Sequence, residues 1–257
     1  KDNISFYRPA PTFTNSLSFS AGSNTGFFRL SFSSLDGKSI IRNMGLKRKT
    51  FNFSGEQKIT DKLTANVLLN YIDQNVDAVN LSDGPMNPNN FTFLATNVDQ
   101  KIFAPGYDPV TGFETQFSDD EYVTNPWFVV NKGVNDLGRK RWIANTSLKY
   151  DFTKWLYVQA RVGYDLWNDK LLKAEPWGTA YTQDKHGNLQ DVASTQSYEL
   201  NVDGLIGANR DLTENLTLDA VIGANLRKNQ YEKIAVGCSY FLVPNQYTLG
   251  NVRNPRT

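Results

Sequence analysis

The side chains most often used in catalysis and metal binding are scarce in this sequence. It contains one histidine, His186, and one cysteine, Cys238. Metal sites and nucleophile–base pairs need several such groups close together, and neither residue has a partner of its own kind. We interpret His186 as part of a polar turn, Asp184-Lys-His-Gly-Asn188, and Cys238 as a small packed side chain.

Sequence motifs of the common enzyme classes are also missing. There is no G-x-S-x-G elbow, no P-loop and no Rossmann fingerprint. The sequence therefore predicts a protein that is not an enzyme and has no cofactor and no resident metal. The acidic run Asp119-Asp120-Glu121 offers the hard oxygen ligands that Ca²⁺ prefers, but its spacing is not that of an EF-hand. A solvated acidic loop is the favoured interpretation.

Composition narrows the class of protein further. The 257 residues include 27 basic and 26 acidic side chains, a net charge of +1 that gives no electrostatic reason to expect nucleic acid as a partner. No stretch approaches the roughly 18 consecutive apolar residues of a membrane helix. A membrane β-barrel stays compatible with this polar composition, because only alternate residues of a barrel strand face lipid.

Alternation of apolar and polar residues predicts long β-strands. The clearest case runs from Arg141 to Trp167, where two alternating stretches meet at Thr153-Lys154. Side chains point to opposite faces along a strand, so this pattern predicts one apolar and one polar face. The same pattern occupies residues 13–20, 28–32, 46–59, 63–71, 196–211 and 216–226, with a further candidate strand at 234–243.

A short turn recurs between these strands. Ile59-Thr-Asp-Lys-Leu63, Phe152-Thr-Lys-Trp-Leu156 and Leu212-Thr-Glu-Asn-Leu216 all have an apolar residue, a threonine, two variable residues and a second apolar residue. Other connections are long, notably 73–140 and 168–195. Short turns at one end, long loops at the other and strands of about 12 residues are typical of outer-membrane barrels.

We therefore predict an all-β fold, an antiparallel transmembrane β-barrel segment of about eight or nine strands from a larger barrel. The short turns would be periplasmic and the long loops extracellular. The apolar strand faces would meet lipid, and their alternates would meet a lumen. The candidate lumen-facing charges are Arg161, Asp165, Glu199 and Asp203.

The long loop carries more aromatic residues than a freely solvated loop would. One interpretation is that they form the loop's own small core or dock it on another protein. The other is that some of them stack on a sugar. The candidates for ligand stacking are Tyr107, Tyr122 and Trp127.

Residues near the strand ends suggest a membrane boundary. Trp142, Trp155 and Trp167 are expected in a girdle at the membrane interface. The basic runs Lys47-Arg48-Lys49 and Arg139-Lys140-Arg141 lie near the outer strand ends, where lipopolysaccharide phosphates would be close. Ordinary interface anchoring is the favoured role for both runs.

Taken in order, several segments resemble the barrel of the SusC/RagA-type TonB-dependent transporters of Bacteroidetes outer membranes. Their order and spacing are more specific than any one piece. The matching pieces are Leu17-Ser-Phe-Ser-Ala-Gly-Ser23, Phe28-Arg-Leu-Ser-Phe32, Leu35-Asp-Gly-Lys-Ser-Ile-Ile41, Leu46-Lys-Arg48, Phe51-Asn-Phe53, the Thr-Asp-Lys-Leu turn, Asn125-Pro-Trp127, Arg139-Lys-Arg141, Tyr150-Asp151 and Trp155-Leu156.

The resemblance implies energy-coupled import of a bulky nutrient, a glycan or an oligopeptide. The implied partners are a SusD-like surface lipoprotein and the TonB complex. The predicted barrel is also expected to contact outer-membrane lipid, including lipopolysaccharide. The resemblance covers nearly all of this chain but only part of such a transporter. We expect a connector at 1–12, barrel at 13–243 and an irregular tail or the start of the next loop at 244–257, with no plug domain and no Ton box.

Two other functions compete with transport. One is a surface carbohydrate-binding or adhesion module without uptake, and the other is a soluble β-sandwich that binds carbohydrate. A barrel enzyme such as a protease or lipase has the least support, because no nucleophile–base pair is visible.

Overall fold

A computed structural model describes residues 3–78, 84–237 and 239–253. These residues form one antiparallel sheet of eight strands, paired in the order in which they follow one another along the chain. No helix in these ranges is both long enough and apolar enough to cross a membrane. The strands are β1 Thr12–Ser23, β2 Gly26–Lys38, β3 Gly45–Lys58, β4 Leu63–Asp77, β5 Val134–Asp151, β6 Leu156–Glu175, β7 Asn188–Thr213 and β8 Leu216–Val236.

All the short turns lie at one end of the sheet. In the turn after β3, the hydroxyl of Thr60 accepts hydrogen bonds from the backbone N–H groups of Lys62 (3.3 Å) and Leu63 (3.1 Å). The hydroxyl of Thr153 does the same for Trp155 and Leu156 after β5. The threonine recurs in the sequence because its side chain satisfies turn N–H groups that the strand ladder leaves unpaired.

The opposite end carries the longer connections, as predicted, but two of them are shorter than expected. Strands β4 and β5 extend into the predicted loop 73–140, so the connection comprises residues 78–133. The prediction of a loop at 168–195 was wrong in both bounds, because β6 and β7 continue as a paired ribbon and leave only 176–187. Between the apolar band and the loops, neither face of the β6–β7 ribbon meets lipid. The alternation of apolar and polar residues that predicts a strand is therefore lost there, although the backbones of the two strands stay paired.

Among the described residues of the candidate ninth strand at 234–243, which omit 238, no separate strand forms, and 234–236 belong to β8. Strand β8 ends at Val236, and Phe241 makes only an isolated bridge to Val252. Phe241 and Val252 pack with Ala174 and Leu189 in a small core at the loop end of the β6–β7 ribbon. The interpretation of Cys238 as a packed side chain lies outside the described residues.

The strand register joins the predicted apolar faces into one continuous surface. Trp142 on β5 lies opposite Tyr71 on β4 and Leu166 on β6. The next positions toward the turns pair Ala144 with Leu69 and Tyr164. Many large apolar side chains on this surface are exposed, as expected of a face that meets lipid rather than a protein core.

An aromatic row bounds this surface near the loop end. The Tyr71 and Trp142 rings lie 4.3 Å apart, and Tyr198 stacks on Tyr164 at 6.0 Å. Such a row is typical of the membrane interface of a barrel. We call the cross-strand row the girdle. It consists of Phe32, Phe51, Tyr71, Trp142, Leu166 and Tyr198.

The three tryptophans expected in a girdle occupy different places. Trp142 lies in the girdle, and Trp155 lies in a short turn at the other end, beside the guanidinium of Arg210. Trp167 points to the opposite, polar face, because it pairs with Arg141 and lies two residues after Asp165 on the same strand. The interface role expected for Trp167 was therefore wrong, and the side-chain alternation of β6 is the physical reason.

Two neighbouring residues of β4 provide a matched test of the two faces. Val67 belongs to the apolar face at mid-height, and Asn66 belongs to the polar face opposite Glu56. In the membrane-inserted protein, Val67→Lys should lower the free energy of unfolding by about 2–4 kcal/mol, because the charge would face hydrocarbon. Asn66→Lys should change it by less than about 1 kcal/mol. Urea titration of the intact protein in lipid vesicles would measure both, and equal losses would contradict the assignment of faces.

Candidate functional site

The polar face of the sheet is concave and carries the predicted lumen residues. Side chains from β2 to β7 border one hollow of about 510 Å³ on this face, so the sheet curls toward its polar side. Phe27 on β2, Asn66 on β4 and Asp203 on β7 all line it. Side chains pointing into a curled antiparallel sheet would face the interior of a barrel.

Each predicted lumen charge forms an ion pair with a neighbouring strand. Arg161 Nε donates to Asp203 Oδ1 at 2.6 Å, which joins two of the four candidates. The two carboxylate oxygens of Asp165 accept hydrogen bonds from Nε and Nη2 of Arg141, which is a bidentate arrangement. Glu199 Oε2 accepts from Arg227 Nη2 at 2.5 Å. The four candidates named from the sequence did not include the arginine partners Arg141 and Arg227. Arg227 lies at the end of the last clear apolar strand face.

The ion pairs form a ladder along the wall. A further bidentate pair, Arg139 with Asp169, has both N–O distances at 2.7 Å and lies one step nearer the loops. Asn225 Nδ2 also donates to Asn201 Oδ1 at 2.6 Å. Carboxylates and guanidinium groups that satisfy one another hold the polar face in one arrangement, with both signs of charge exposed to the interior.

The alternation of β5 separates the basic run Arg139-Lys140-Arg141 into two roles. Arg139 and Arg141 point inward to their aspartates, whereas Lys140 points outward and is exposed. In the run Lys47-Arg48-Lys49, Arg48 likewise faces inward and donates to Gln74 Oε1 at 2.9 Å. The two runs therefore do not act as compact basic clusters.

Trp127, the first of the three stacking candidates, is part of a loop core. It lies in helix α1, Pro126–Lys132, and packs edge-on against Phe6 with ring centroids 5.3 Å apart. Its indole N–H donates to Gln100, and the guanidinium of Arg42 covers a ring face at 5.3 Å. Phe6 lies in the segment expected as a connector and is fully buried, which ties that segment to the loop.

Tyr107 and Tyr122 make contacts different from those of Trp127. The ammonium of Lys132 sits 4.3 Å from the centroid of the Tyr107 ring. Tyr122 is 59% exposed and stacks on Tyr181 at 5.6 Å. Tyr122 and Tyr181 line a polar pocket of about 470 Å³ together with Glu175 and Tyr240. Of the three candidates, Tyr122 alone borders a pocket among those described.

Burial perturbs the polar groups of this loop region. Burial raises the pKa of the Tyr181 hydroxyl, and its hydrogen bond to Glu175 Oε1 (2.6 Å) raises it further. Burial also raises the pKa of the Glu114 carboxyl, although backbone N–H donors act to lower it. Those donors are Asn125 at 2.6 Å and Ala180 at 3.0 Å, so Glu114 bridges the loops 78–133 and 176–187.

Close backbone packing joins the same two loops. Gly178 has φ +98°, and a Cβ there would lie 2.4 Å from the carbonyl oxygen of Gly112. The Glu114 N–H donates to the Gly178 carbonyl at 3.0 Å. The segments of the two loops around Gly112, Glu114 and Gly178 therefore pack against each other and are not two separate loops.

The remaining chemistry-bearing residues take structural places. His186 stacks on Trp177 with ring centroids 4.1 Å apart. Asp120 Oδ1 accepts from the Tyr122 N–H at 2.9 Å. Across residues 3–78, 84–237 and 239–253, no group of three or more histidine, cysteine, aspartate or glutamate side chains is arranged to hold a metal ion.

Comparison with known proteins defines the fold. No protein-family model matches the sequence, and no curated protein matches it. The structure of the RagAB peptide transporter aligns over 97% of this chain with a TM-score of 0.69 and 16% identity. The Pseudomonas aeruginosa receptor FpvA, bound to a heterologous pyoverdine, aligns over 95% of this chain with a TM-score of 0.58 and 11% identity. The Acinetobacter baumannii siderophore receptor PiuA aligns over 89% of this chain with a TM-score of 0.53 and 14% identity.

The alignments cover less than a third of each of those proteins, between 28% and 30% of their chains. At this level of identity they establish the fold. The eight-stranded sheet has the architecture of part of the barrel wall of TonB-dependent outer-membrane transporters, which confirms the predicted fold class.

The bidentate pair of Arg141 and Asp165 provides a test of the ladder. Their side chains are 37% and 33% exposed, so water screens the attraction. A double-mutant cycle with Arg141→Ala and Asp165→Ala should give a coupling of about 0.5–1 kcal/mol in the unfolding free energy.

The pair Lys149 and Asp151, two residues apart on one strand, is the matched control and should couple more weakly. Unfolding of the intact protein in vesicles measures both cycles. A coupling at the control pair that equals or exceeds the value for Arg141 and Asp165 would contradict the ladder.

Proposed function

We propose that this chain forms part of the wall of an energy-coupled nutrient transporter of the bacterial outer membrane. The observation that carries the proposal is the two-faced sheet. One face is continuous and apolar with a girdle, and the other is concave and ion-paired. A sheet with these two solvents on its faces suits a barrel that separates lipid from an aqueous interior. The fold shared with RagAB supports the same assignment.

The imported nutrient is an oligopeptide or a glycan, and a SusD-like surface lipoprotein covers the loop layer. The peptide cargo named for RagAB favours the oligopeptide. The packed loops 78–133 and 176–187 give such a partner a firm surface to close upon. Energy for uptake comes from TonB in the inner membrane. The chain itself carries out no covalent chemistry.

The polar face contributes to transport by presenting paired charges of both signs. Arg161, Asp165, Glu199 and Asp203 contact the diffusing substrate or the plug that fills the barrel. Because each charge already has a partner, a passing zwitterionic peptide exchanges ion pairs instead of binding a lone charge tightly. Release on the inner side is then not limited by a deep electrostatic well.

Growth on defined nutrients tests the proposal. Deleting the gene from the bacterium that encodes it should abolish growth on an oligopeptide mixture as sole nitrogen source, and inactivating TonB should give the same phenotype. Free amino acids should restore growth, since they bypass the transporter. A matched set of oligosaccharides as sole carbon source separates the two nutrient classes.

Normal growth of the deletion strain on both nutrient classes would contradict transport. If that strain instead lost surface binding of a carbohydrate, the adhesion module would be the better assignment. Normal growth of the TonB-inactivated strain on a nutrient that the deletion strain cannot use would argue against energy coupling.

A further inference from the structure

Four outward-facing lysines lie in two rows immediately beyond the girdle. The register places Lys49 and Lys140 in the first row, on either side of Asp73. Lys47 and Lys170 lie in the second row, opposite Asn75 and Gly138. All four lysines are exposed. We call these four residues, which lie on β3, β5 and β6, the lysine patch.

The patch is not neutralised by the protein. Within residues 3–78, 84–237 and 239–253, the ion pairs involve other residues, and none of the four lysines takes part. Asp73 lies between Lys49 and Lys140 without forming an ion pair to either. Two further acidic residues flank the patch at the same height: Asp36 lies opposite Lys47 but pairs with Lys38, and Glu232 lies in the first row on β8. Asp77 and Asp136 come one row farther from the apolar band. Within strands β3 to β6, the two rows therefore carry four lysines and one carboxylate.

The height of the patch fixes the chemistry of its ligand. The girdle lies one row closer to the turns, and exposed Phe and Leu side chains continue below it. A molecule that touches both surfaces needs apolar tails beside the aromatic row and anionic groups just above them. Lysine ammonium groups at this height are suited to phosphate at the head group of a membrane lipid.

The breadth of the patch favours a sugar head group over a single phosphate. Strands β3 and β6 are separated by three strand spacings, roughly 14 Å at ~4.8 Å each. Polar amide and hydroxyl side chains lie among the lysines in the same two rows, and they are suited to sugar hydroxyl groups. These side chains are Asn75, Asn168, Ser194 and Gln196.

We propose that the lysine patch binds a phosphorylated glycolipid of the outer leaflet. The inference rests on the proposed outer-membrane location and adds a lipid site to the outside of the wall. Only Lys47, Lys49 and Lys140 of the two basic runs take part, because strand alternation turns the arginines inward. Lys170 joins them from β6, outside either run.

The test replaces all four lysines of the patch by glutamine in the intact protein. Four exposed lysines elsewhere, at the turn end and in the long loop, form the matched control with the same loss of charge: Lys58, Lys62, Lys101 and Lys154. Each delipidated protein is mixed in mild detergent with lipopolysaccharide extracted from its own membrane, or with phosphatidylglycerol. Native mass spectrometry then counts the retained lipid.

The patch variant should retain at least about tenfold less lipopolysaccharide than the wild type, whereas the control variant should match the wild type. Replacing the four lysines by arginine should preserve binding. Wild-type retention should fall in about 1 M salt, where charges are screened within ~3 Å. This salt response needs no variant to fold.

Equal lipopolysaccharide retention by the patch and control variants would overturn the proposal. Retention of phosphatidylglycerol in preference to lipopolysaccharide would overturn the choice of lipid. Growth on the imported nutrient separates this inference from the proposed function. If the patch variant loses lipid binding but still supports growth, the lipid site and transport are independent. If the deletion strain fails to grow but the wild-type protein binds no lipid, the proposed function stands and the lipid site is wrong.

Discussion

Every other feature of the molecule depends on one constraint, the pairing of each strand with its neighbours along its full length. Hydrocarbon offers no partner for a backbone N–H or carbonyl, so a chain that spans lipid as strands must satisfy those groups between strands. The seven neighbouring strand pairs do so in one unbroken order, with register shifts at Lys173/Ala174 and Asp211/Thr213, and the end strands β1 and β8 pair along one edge each. A fixed register in turn decides which side chains meet lipid and which meet the interior.

The same constraint explains where ordered packing occurs outside the sheet. The strand surface contributes few buried apolar residues, because one face is left to lipid and the other to water. The buried clusters lie at the loop end instead, around Phe6 with Phe91 and around Leu189 with Phe241. Glu114 and Gly178 then tie the two main loops together. The loop layer is a small protein core built on top of a membrane wall.

Sequence reasoning recovered what alternation and turn chemistry encode. The strand faces and the recurring Thr turn follow from local pattern. The register places Arg161 and Asp165 together on the polar face of the sheet. Alternation did not predict strand where neither face of the sheet meets lipid. The length of the paired strands β6 and β7 was therefore underestimated. It also could not show that Phe6 packs on Trp127, because that contact joins residues distant in sequence and carries no periodic signal.

The central claim is that one face of this sheet meets lipid and the other meets water, and accessibility along a single strand tests it most directly. Nitroxide labels can be placed at each position from 158 to 167 of β6 in the intact protein in vesicles, with Cys238 replaced by serine. Even positions should be relaxed by oxygen dissolved in the bilayer, and odd positions, including 161 and 165, by a water-soluble nickel complex. A period of two residues in opposite phase for the two reagents is the predicted result. Equal exposure to the nickel complex at neighbouring positions would contradict the account.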